Sequence, residues 1–176
     1  MTQGYDAVVY DLDGTLVGLD VDWEDARRDV ATKLRTRNVD VADENLWQLF
    51  ERARNEGFEP LVEEVLTEHE RAGARTSTRL PLAEELPREI PVGVCSLNCE
   101  AACRIALETH GLDGAVDTIV GRDTLGPVKP DPEPLLVAAR ELAVSPRRAL
   151  FIGDSERDAI AAERAEMAFE YVSQRV

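Results

Sequence analysis

The sequence predicts an α/β fold: a doubly wound, mostly parallel sheet with a small all-helical cap inserted after the first strand. Three patterns lead to this prediction. A strand-like run stands near the start of the chain, helical patterns alone fill the next stretch, and strands alternate with helices from residue 90 onward. With 176 residues and 44% hydrophobic content, the chain can form one substantial core and a small insert, but not two full domains.

The first strand is the apolar run Asp6-Ala-Val-Val-Tyr10. Its β-branched residues favour a buried, pleated segment, and a turn containing Gly14 ends it. The carboxylates of Asp11 and Asp13 therefore stand at the carboxyl end of this strand.

The second region carries three helical patterns and divides the chain into two parts. We expect a core domain of residues 1–16 and 80–176, with residues 17–79 as a small helical cap. Pro60 indicates a helix start, and Gly57 and Gly73 indicate helix ends. Apolar side chains on the helical stripes, among them Trp23, Trp47 and Phe50, are interpreted as core.

The remainder of the chain alternates between strands and helices. We expect strands at 90–95, 118–120, 149–152 and 167–172, with helices at 100–110, 132–143 and 156–166. This alternation is typical of a parallel sheet covered on both faces. Ligands of such sheets bind beyond the carboxyl ends of the strands.

Charge and cysteine content limit the classes of partner. The formal net charge is −15, so the protein repels phosphate backbones and anionic lipids, and we expect neither nucleic acid nor membrane as a partner. This acidity, with Lys33 and Lys129 as the two lysines, favours a halophilic source. No leader pattern or apolar stretch of about 18 residues is present, so we expect a cytoplasmic protein. Cys95, Cys99 and Cys103 are predicted to be free thiols.

Four short segments place reactive side chains after predicted strands. They are Asp11-Leu-Asp13-Gly14-Thr15, Ser96-Leu97-Asn98, Lys129-Pro-Asp131 and Gly153-Asp154-Ser155-Glu156-Arg157-Asp158. Carboxylates that converge at one sheet edge repel each other unless a hard cation holds them, and oxygen ligands of this kind suit Mg²⁺. A phosphate ester is the natural guest, because Mg²⁺ and Lys129 neutralise its charge while Ser96 and helix amides bind its oxygens.

Each segment also has a purely structural interpretation. An Asp-Gly pair is a common turn, Ser96 or Asn98 can cap the helix that follows, and Ser155 with Asp158 resembles a capping box. The order, the spacing and the shared position at strand ends favour a functional site over four independent structural coincidences.

With these motifs the sequence resembles the haloacid dehalogenase-like (HAD) hydrolase superfamily over the whole chain, with its Rossmann-like core. The resemblance implies that Asp11 is the nucleophile and that Asp13 is the general acid and then the base. It implies phosphate binding by Ser96, Leu97, Asn98 and Lys129. It also implies Mg²⁺ held by the Asp11 carboxylate, the Asp13 main-chain carbonyl and the Asp154 carboxylate, with Asp158 as a ligand or as support.

The same resemblance addresses the branch of the superfamily and its cap. Phosphatases carry an aspartate two residues after the nucleophile whereas dehalogenases do not, so Asp13 argues against dehalogenation. The helical insert looks like the cap of phosphoglycolate phosphatase-like members, which closes over the site. Here it is short, because Asp11 and Ser96 stand 85 residues apart (96 − 11). A short cap is compatible with an open site or with one completed by a second subunit, as in a homodimer formed through the cap.

The expected function is that of a Mg²⁺-dependent phosphatase that hydrolyses a small phosphomonoester through an aspartyl-phosphate on Asp11. The expected partner is a small phosphorylated metabolite. A phosphomutase with the same site is the alternative among enzymes. A non-catalytic HAD-like binding or regulatory module is the alternative from another class.

Overall fold

A five-stranded parallel sheet forms the centre of the computed structural model, which describes residues 4–41 and 43–175. The strand order is β5-β4-β1-β6-β7, so β1 lies in the middle. The strands of this sheet are β1 (Ala7–Tyr10), β4 (Val92–Cys95), β5 (Thr118–Val120), β6 (Ala149–Gly153) and β7 (Ala168–Tyr171). Val8 is in register with Val92 on one side and with Leu150 on the other. The predicted α/β class is confirmed.

Six α-helices lie within the described ranges, in the predicted regions. They are α1 (Trp23–Arg35), α2 (Leu46–Glu56), α3 (Glu59–Arg75), α4 (Glu100–Thr109), α5 (Glu133–Glu141) and α6 (Glu156–Arg164). None of the helices in the described ranges is long and apolar enough to cross a membrane.

The two faces of β1 contribute to separate hydrophobic clusters, which is why the sheet is covered on both sides. Val8 and Tyr10 pack in the cluster that contains Ala102 and Leu107 of α4. Ala7 and Val9, which alternate with them along the strand, pack in the cluster that contains residues of α5 and α6. The continuous apolar run of β1 thus follows from burial on both faces.

The helices α1, α2 and α3 surround a third cluster of their own, with Val30, Leu49, Phe50 and Val62 among its members. A short antiparallel ribbon joins the two ends of this insert, with β2 (Val17–Gly18) paired to β3 (Thr78–Arg79). The sequence analysis did not predict the ribbon, because strands of two residues carry no periodic signal.

Gly57 and Pro60 have their predicted roles, whereas the prediction for Gly73 is wrong. Gly57 ends α2 in the left-handed conformation, with φ of 81°, and Pro60 lies in the first turn of α3. Gly73 lies inside α3, where a Cβ atom would be 2.6 Å from the carbonyl oxygen of Asp20. The glycine therefore permits close packing of α3 against the chain at Asp20, whose amide donates to the Gly73 carbonyl (3.1 Å).

Candidate active site

The central strands bring the predicted reactive segments to one edge of the sheet. Asp11 directly follows β1, and its amide donates to the carbonyl of Ile152 in β6 (2.8 Å). Ser96 directly follows β4, and its amide donates to the carbonyl of Val120 in β5 (2.9 Å). Asp154 follows β6. The parallel arrangement therefore gathers residues that are far apart in the sequence.

Lys129 reaches this edge from the loop after β5 and makes three hydrogen bonds. Its Nζ donates to Asp11 Oδ1 (3.1 Å), to Asp158 Oδ1 (2.5 Å) and to the Cys95 carbonyl (2.9 Å). The side chain is only 2% exposed. A buried ammonium with three acceptors has all of its donors satisfied, so it bridges the two carboxylates without a desolvated, unpaired charge.

Burial and neighbouring charges perturb the pKa values of this pair. Burial raises the pKa of Asp11; the ammonium of Lys129 opposes this rise, and the Asp158 carboxylate adds to it. For Lys129, burial would lower the pKa, but the carboxylates of Asp11 and Asp158, together with Cys95, raise it overall. Lys129 is therefore a permanent cation in the site.

Asp13 stands two residues after Asp11 and is half-buried. Its Oδ1 accepts a hydrogen bond from the Leu19 amide (2.8 Å), which fixes the side chain. Burial raises the pKa of Asp13, the Leu19 amide opposes the rise, and the nearby Asp154 carboxylate adds to it. A raised pKa favours the protonated form of this carboxyl group, which is the form that can donate a proton.

Gly14 allows Asp13 and Asp154 to approach each other. Its φ is +78°, and a Cβ at this position would stand 2.1 Å from Asp154 Oδ2. A side chain would therefore displace the Asp154 carboxylate. The turn that the sequence predicts here is present, and it also leaves room for the second acidic segment.

Asp158 is held from two directions. Its Oδ1 accepts from Lys129 (2.5 Å), and its Oδ2 accepts from the hydroxyl and the amide of Ser155 (2.7 and 3.1 Å). Ser155 and Asp158 form the predicted capping box of α6. The structural interpretation of this pair is thus confirmed, and the same carboxylate also contacts the site lysine.

Asp11, Asp154 and Asp158 form an acidic cluster whose ligand atoms all lie within 4.8 Å of one another. Three carboxylates at this distance suit a hard divalent cation with oxygen ligands, and all three line the same cavity. Asp154 is exposed and Asp158 is buried, so the two oxygens of Asp154 are the more accessible ones.

The loop after β4 is ordered by its own polar side chains. The Ser96 hydroxyl donates to Asn98 Oδ1 (3.0 Å) and accepts from the Asn98 amide (3.1 Å). The alternative in which Ser96 or Asn98 caps the next helix is wrong, because Cys99 is the N-cap residue of α4. Leu97, Asn98 and Lys129 line the cavity, whereas Ser96 is buried and is not one of its lining residues.

A cavity of about 660 Å³ lies over the acidic cluster. Side chains of the helical insert form one wall of it, including Trp23, Trp47 and Phe50. The interpretation of these residues as core holds for Phe50, which is 2% exposed, and is wrong for Trp23, which is 38% exposed. The guanidinium of Arg157 in α6 lies 4.6 Å from the centroid of the Trp47 ring, so core and insert meet across the cavity.

Sequence reasoning missed two further charged residues that line the cavity, Glu70 and Arg122. Glu70 lies in α3 and is 1% exposed, and Arg122 lies after β5 and is 3% exposed. The signal that could have found Arg122 is its position two residues after a predicted strand. Glu70 falls on the buried stripe of α3, where an acidic side chain requires a partner.

Comparisons of the sequence and of the structure with known proteins point to the same group of proteins. A family model described as haloacid dehalogenase-like hydrolase matches residues 8–172. The chain is 27% identical to phosphoglycolate phosphatase of Aquifex aeolicus over 177 residues, covering 90% of this chain and 80% of that protein.

A second relative is matched over a shorter stretch. Phosphoglycolate phosphatase of Rhodospirillum rubrum is 41% identical over 78 residues, which cover 44% of this chain and 32% of that protein. The match thus spans about a third of that relative's length. Among solved structures, CbbY from Rhodobacter sphaeroides in complex with phosphate has a TM-score of 0.67 at 20% identity, covering 95% of this chain and 85% of that chain. This likeness shows a shared fold.

Proposed function

The chain belongs to the haloacid dehalogenase-like hydrolase family, and we propose that it is a Mg²⁺-dependent phosphatase that cleaves small phosphomonoesters with Asp11 as nucleophile. One observation carries the proposal. The buried Asp11 carboxylate forms a salt bridge with Lys129 and lies next to the carboxylates of Asp154 and Asp158. These groups line a cavity large enough for a small metabolite.

Asp11 and Asp13 divide the covalent chemistry between them. In the first step a carboxylate oxygen of Asp11 forms a bond to phosphorus while the bond from phosphorus to the ester oxygen breaks, and Asp13 gives its proton to that oxygen. In the second step a water molecule attacks the phosphorus and transfers a proton to Asp13. The bond from phosphorus to Asp11 breaks, and inorganic phosphate leaves. The raised pKa of Asp13 supports its role as the proton carrier.

The acidic cluster is the proposed metal site. Asp11 and Asp154 supply carboxylate oxygens, and the main-chain carbonyl of Asp13 completes the set. Both oxygens of Asp158 already accept hydrogen bonds, so we assign Asp158 the role of orienting Lys129 and supporting the site. Mg²⁺, when bound, supplies the positive charge that keeps Asp11 ionised and neutralises phosphoryl oxygens.

The phosphoryl group is proposed to bind between Lys129 and the loop Ser96–Asn98. Lys129 supplies a fixed positive charge, and the Leu97 backbone amide is a candidate donor next to the cavity. The Ser96 hydroxyl bonds to Asn98 in this structure, so its proposed contact with the phosphoryl group requires that it exchange these hydrogen bonds for the ligand.

The helical insert, residues 17–79, is proposed to act as the cap of this site, with residues 1–16 and 80–176 as the core. Its aromatic side chains line the cavity opposite the acidic cluster, which supports a role in holding the organic part of the substrate and in excluding water. Phosphoglycolate is the first candidate substrate, because two relatives are phosphoglycolate phosphatases.

The test is phosphate release from p-nitrophenyl phosphate and from a panel of metabolite phosphomonoesters that includes phosphoglycolate, with Mg²⁺ or with excess EDTA. We expect Mg²⁺-dependent release that EDTA abolishes and added Mg²⁺ restores. An isomerised sugar phosphate in place of free phosphate would establish the mutase alternative. Phosphate binding without turnover on any substrate would establish the binding module.

A further inference from the structure

A buried ion-pair cluster connects the helical insert to the core next to the proposed phosphate loop. Arg122 donates two hydrogen bonds to Glu63 of α3, from Nε (2.8 Å) and from Nη2 (2.9 Å). Its Nη1 also forms a salt bridge with Glu70, about two helical turns further along the same face of α3. The side chains of Arg122 and Glu70 are each 1% exposed. A guanidinium this deeply buried is stable only because carboxylates surround it.

Glu70 and Arg122 also form hydrogen bonds with the main chain of the loop that follows β4. Glu70 Oε2 accepts a hydrogen bond from the Cys99 amide (2.8 Å). Arg122 Nη1 donates to the Leu97 carbonyl (2.9 Å), and the Arg122 amide donates to the Asn98 carbonyl (2.9 Å). The ion pair therefore fixes Leu97 and Cys99 through its side chains, and the Arg122 main chain fixes Asn98 between them. One half of the pair, Glu70, belongs to the insert.

Glu63 makes a different set of contacts, although it lies on the same helix and binds the same guanidinium. Both of its hydrogen bonds go to Arg122, and its side chain is 22% exposed. Glu70, in contrast, lines the active-site cavity together with Leu97 and Asn98. Glu63 thus anchors the insert to Arg122 alone, whereas Glu70 contacts both Arg122 and the loop.

We infer that Glu70 is a positioning residue for phosphoryl transfer: through Arg122 and the Cys99 amide, this side chain of the helical insert sets the geometry of the loop Ser96–Cys99. The inference rests on the proposed phosphate-binding function of that loop, and it assigns control of the loop geometry to the insert. The loop reaches its working geometry when the insert is seated on the core, so the cap contributes to catalysis as well as to closure.

The first variant is Glu70→Gln, with Glu63→Gln as its matched control. A carboxylate can accept from Arg122 and from the Cys99 amide at once, one bond on each oxygen, whereas glutamine has a single side-chain acceptor. In Glu70→Gln we expect the single oxygen to stay with the guanidinium, which is the stronger donor, so that the Cys99 amide loses its acceptor. Arg122 also keeps a partner in Glu63. Glu63→Gln removes a carboxylate from the same arginine and the same helix without touching the loop.

Amide hydrogen exchange tests the positioning without any need for turnover. We expect the Cys99 amide to exchange at least about tenfold faster in Glu70→Gln than in wild type, the factor expected for the loss of one hydrogen bond to a charged group. In Glu63→Gln the loop should keep its wild-type protection. Equal exchange of the Cys99 amide in both variants would overturn the inference. If wild type turns over no substrate, the proposed function fails, and this measurement still decides the positioning of the loop.

Kinetics then test the consequence for catalysis. At a temperature where both variants are folded, we expect kcat to fall about tenfold in Glu70→Gln, because a displaced loop binds the transition state poorly. For Glu63→Gln we expect a kcat within about twofold of wild type. A purely structural role predicts equal kcat values per folded molecule for both variants, and this result would overturn the inference.

A double variant, Glu70→Met/Arg122→Met, keeps the test decisive if the single variant does not fold. Replacing a buried ion pair by apolar residues of similar volume is often neutral for stability. At a temperature where this protein is folded, we expect kcat to fall at least about tenfold, because both side-chain hydrogen bonds to the loop are gone. A folded double variant with wild-type kcat would overturn the inference.

Discussion

Lys129 keeps two buried carboxylates together, and its removal defines a first prediction at the scale of single residues. In Lys129→Met, Asp11 and Asp158 would lose their shared cation and repel each other in a buried site. We expect the free energy of unfolding to fall by about 3–5 kcal/mol, the range measured when one partner of a buried pair is removed. Urea unfolding monitored by circular dichroism gives this value, and the phosphatase assay should show turnover lost.

The matched control for this prediction is the second lysine of the chain, Lys33, which is exposed on α1. Lys33→Met should change the free energy of unfolding by no more than about 0.5 kcal/mol. If Lys129→Met were as stable and as active as Lys33→Met, the bridge between the two carboxylates would have no role in the site.

The three cysteines should be unreactive in the folded protein. Cys95, Cys99 and Cys103 are buried free thiols. Burial raises the pKa of Cys95 to about 12 and that of Cys99 to about 11, so almost no thiolate is present at neutral pH. We expect no reaction with Ellman's reagent at pH 7 in the native state and three reactive thiols in guanidinium chloride. Rapid labelling of the native protein would contradict the burial of this cluster.

At the residue scale, the sequence was sufficient to place the clustered carboxylates at one edge of the sheet and insufficient to find the charged residues packed around them. Asp11, Asp13 and Asp154 could be located because each follows a predicted strand, and parallel strands bring their ends together. Glu70 and Arg122 could not be paired from the sequence, because they are separated by 52 residues and meet only through tertiary packing.

At the scale of elements, the close contact of α3 with the entry to the insert depends on Gly73. In Gly73→Ala the new methyl group would collide with the Asp20 carbonyl and with Val21. Alanine favours a helix by about 1 kcal/mol over glycine, so propensity alone predicts stabilisation. We expect the collision to dominate and to lower the free energy of unfolding by about 1–3 kcal/mol. Chemical denaturation measures the sign directly.

Gly114→Ala provides the comparison for that measurement. Nothing lies within 4 Å of the Cβ position at Gly114, so we expect a change of less than about 1 kcal/mol. If Gly73→Ala were more stable than wild type, the packing of α3 against Asp20 would not be as tight as described.

The elements show where sequence patterns were informative. Helices and core strands could be predicted because each has a periodic or continuous apolar pattern over at least three residues. The β2–β3 ribbon could not be predicted, because its strands are too short for a pattern. The continuation of α3 through Gly73 could not be predicted either, because it depends on the contact with Asp20, which is distant in sequence. Gly57 and Gly73 look alike in sequence, and their surroundings decide that one ends a helix and the other does not.

At the scale of the whole molecule, the net charge of −15 makes self-repulsion a property of the entire surface. Salt screens such repulsion between charges that lie more than about 8–10 Å apart at 0.1–0.15 M ionic strength. We therefore expect the unfolding temperature to rise with NaCl or KCl concentration. An unfolding temperature that does not change with salt would contradict this expectation and with it the inference of a high-salt origin. The predicted homodimer through the cap stays a prediction that light scattering can test.

The central claim is that Asp11 is the nucleophile of a phosphatase, and the most direct test compares wild type with Asp11→Asn, using Asp113→Asn, an exposed aspartate elsewhere, as control. Asparagine keeps the shape of the side chain but cannot form the acyl phosphate. With Mg²⁺ and an active substrate, we predict turnover lowered at least about a thousandfold in Asp11→Asn and unchanged in Asp113→Asn. Rapid acid quenching should trap a phosphoryl group on Asp11 in wild type and in Asp113→Asn, but none in Asp11→Asn. Wild-type turnover by a folded Asp11→Asn protein would contradict the account.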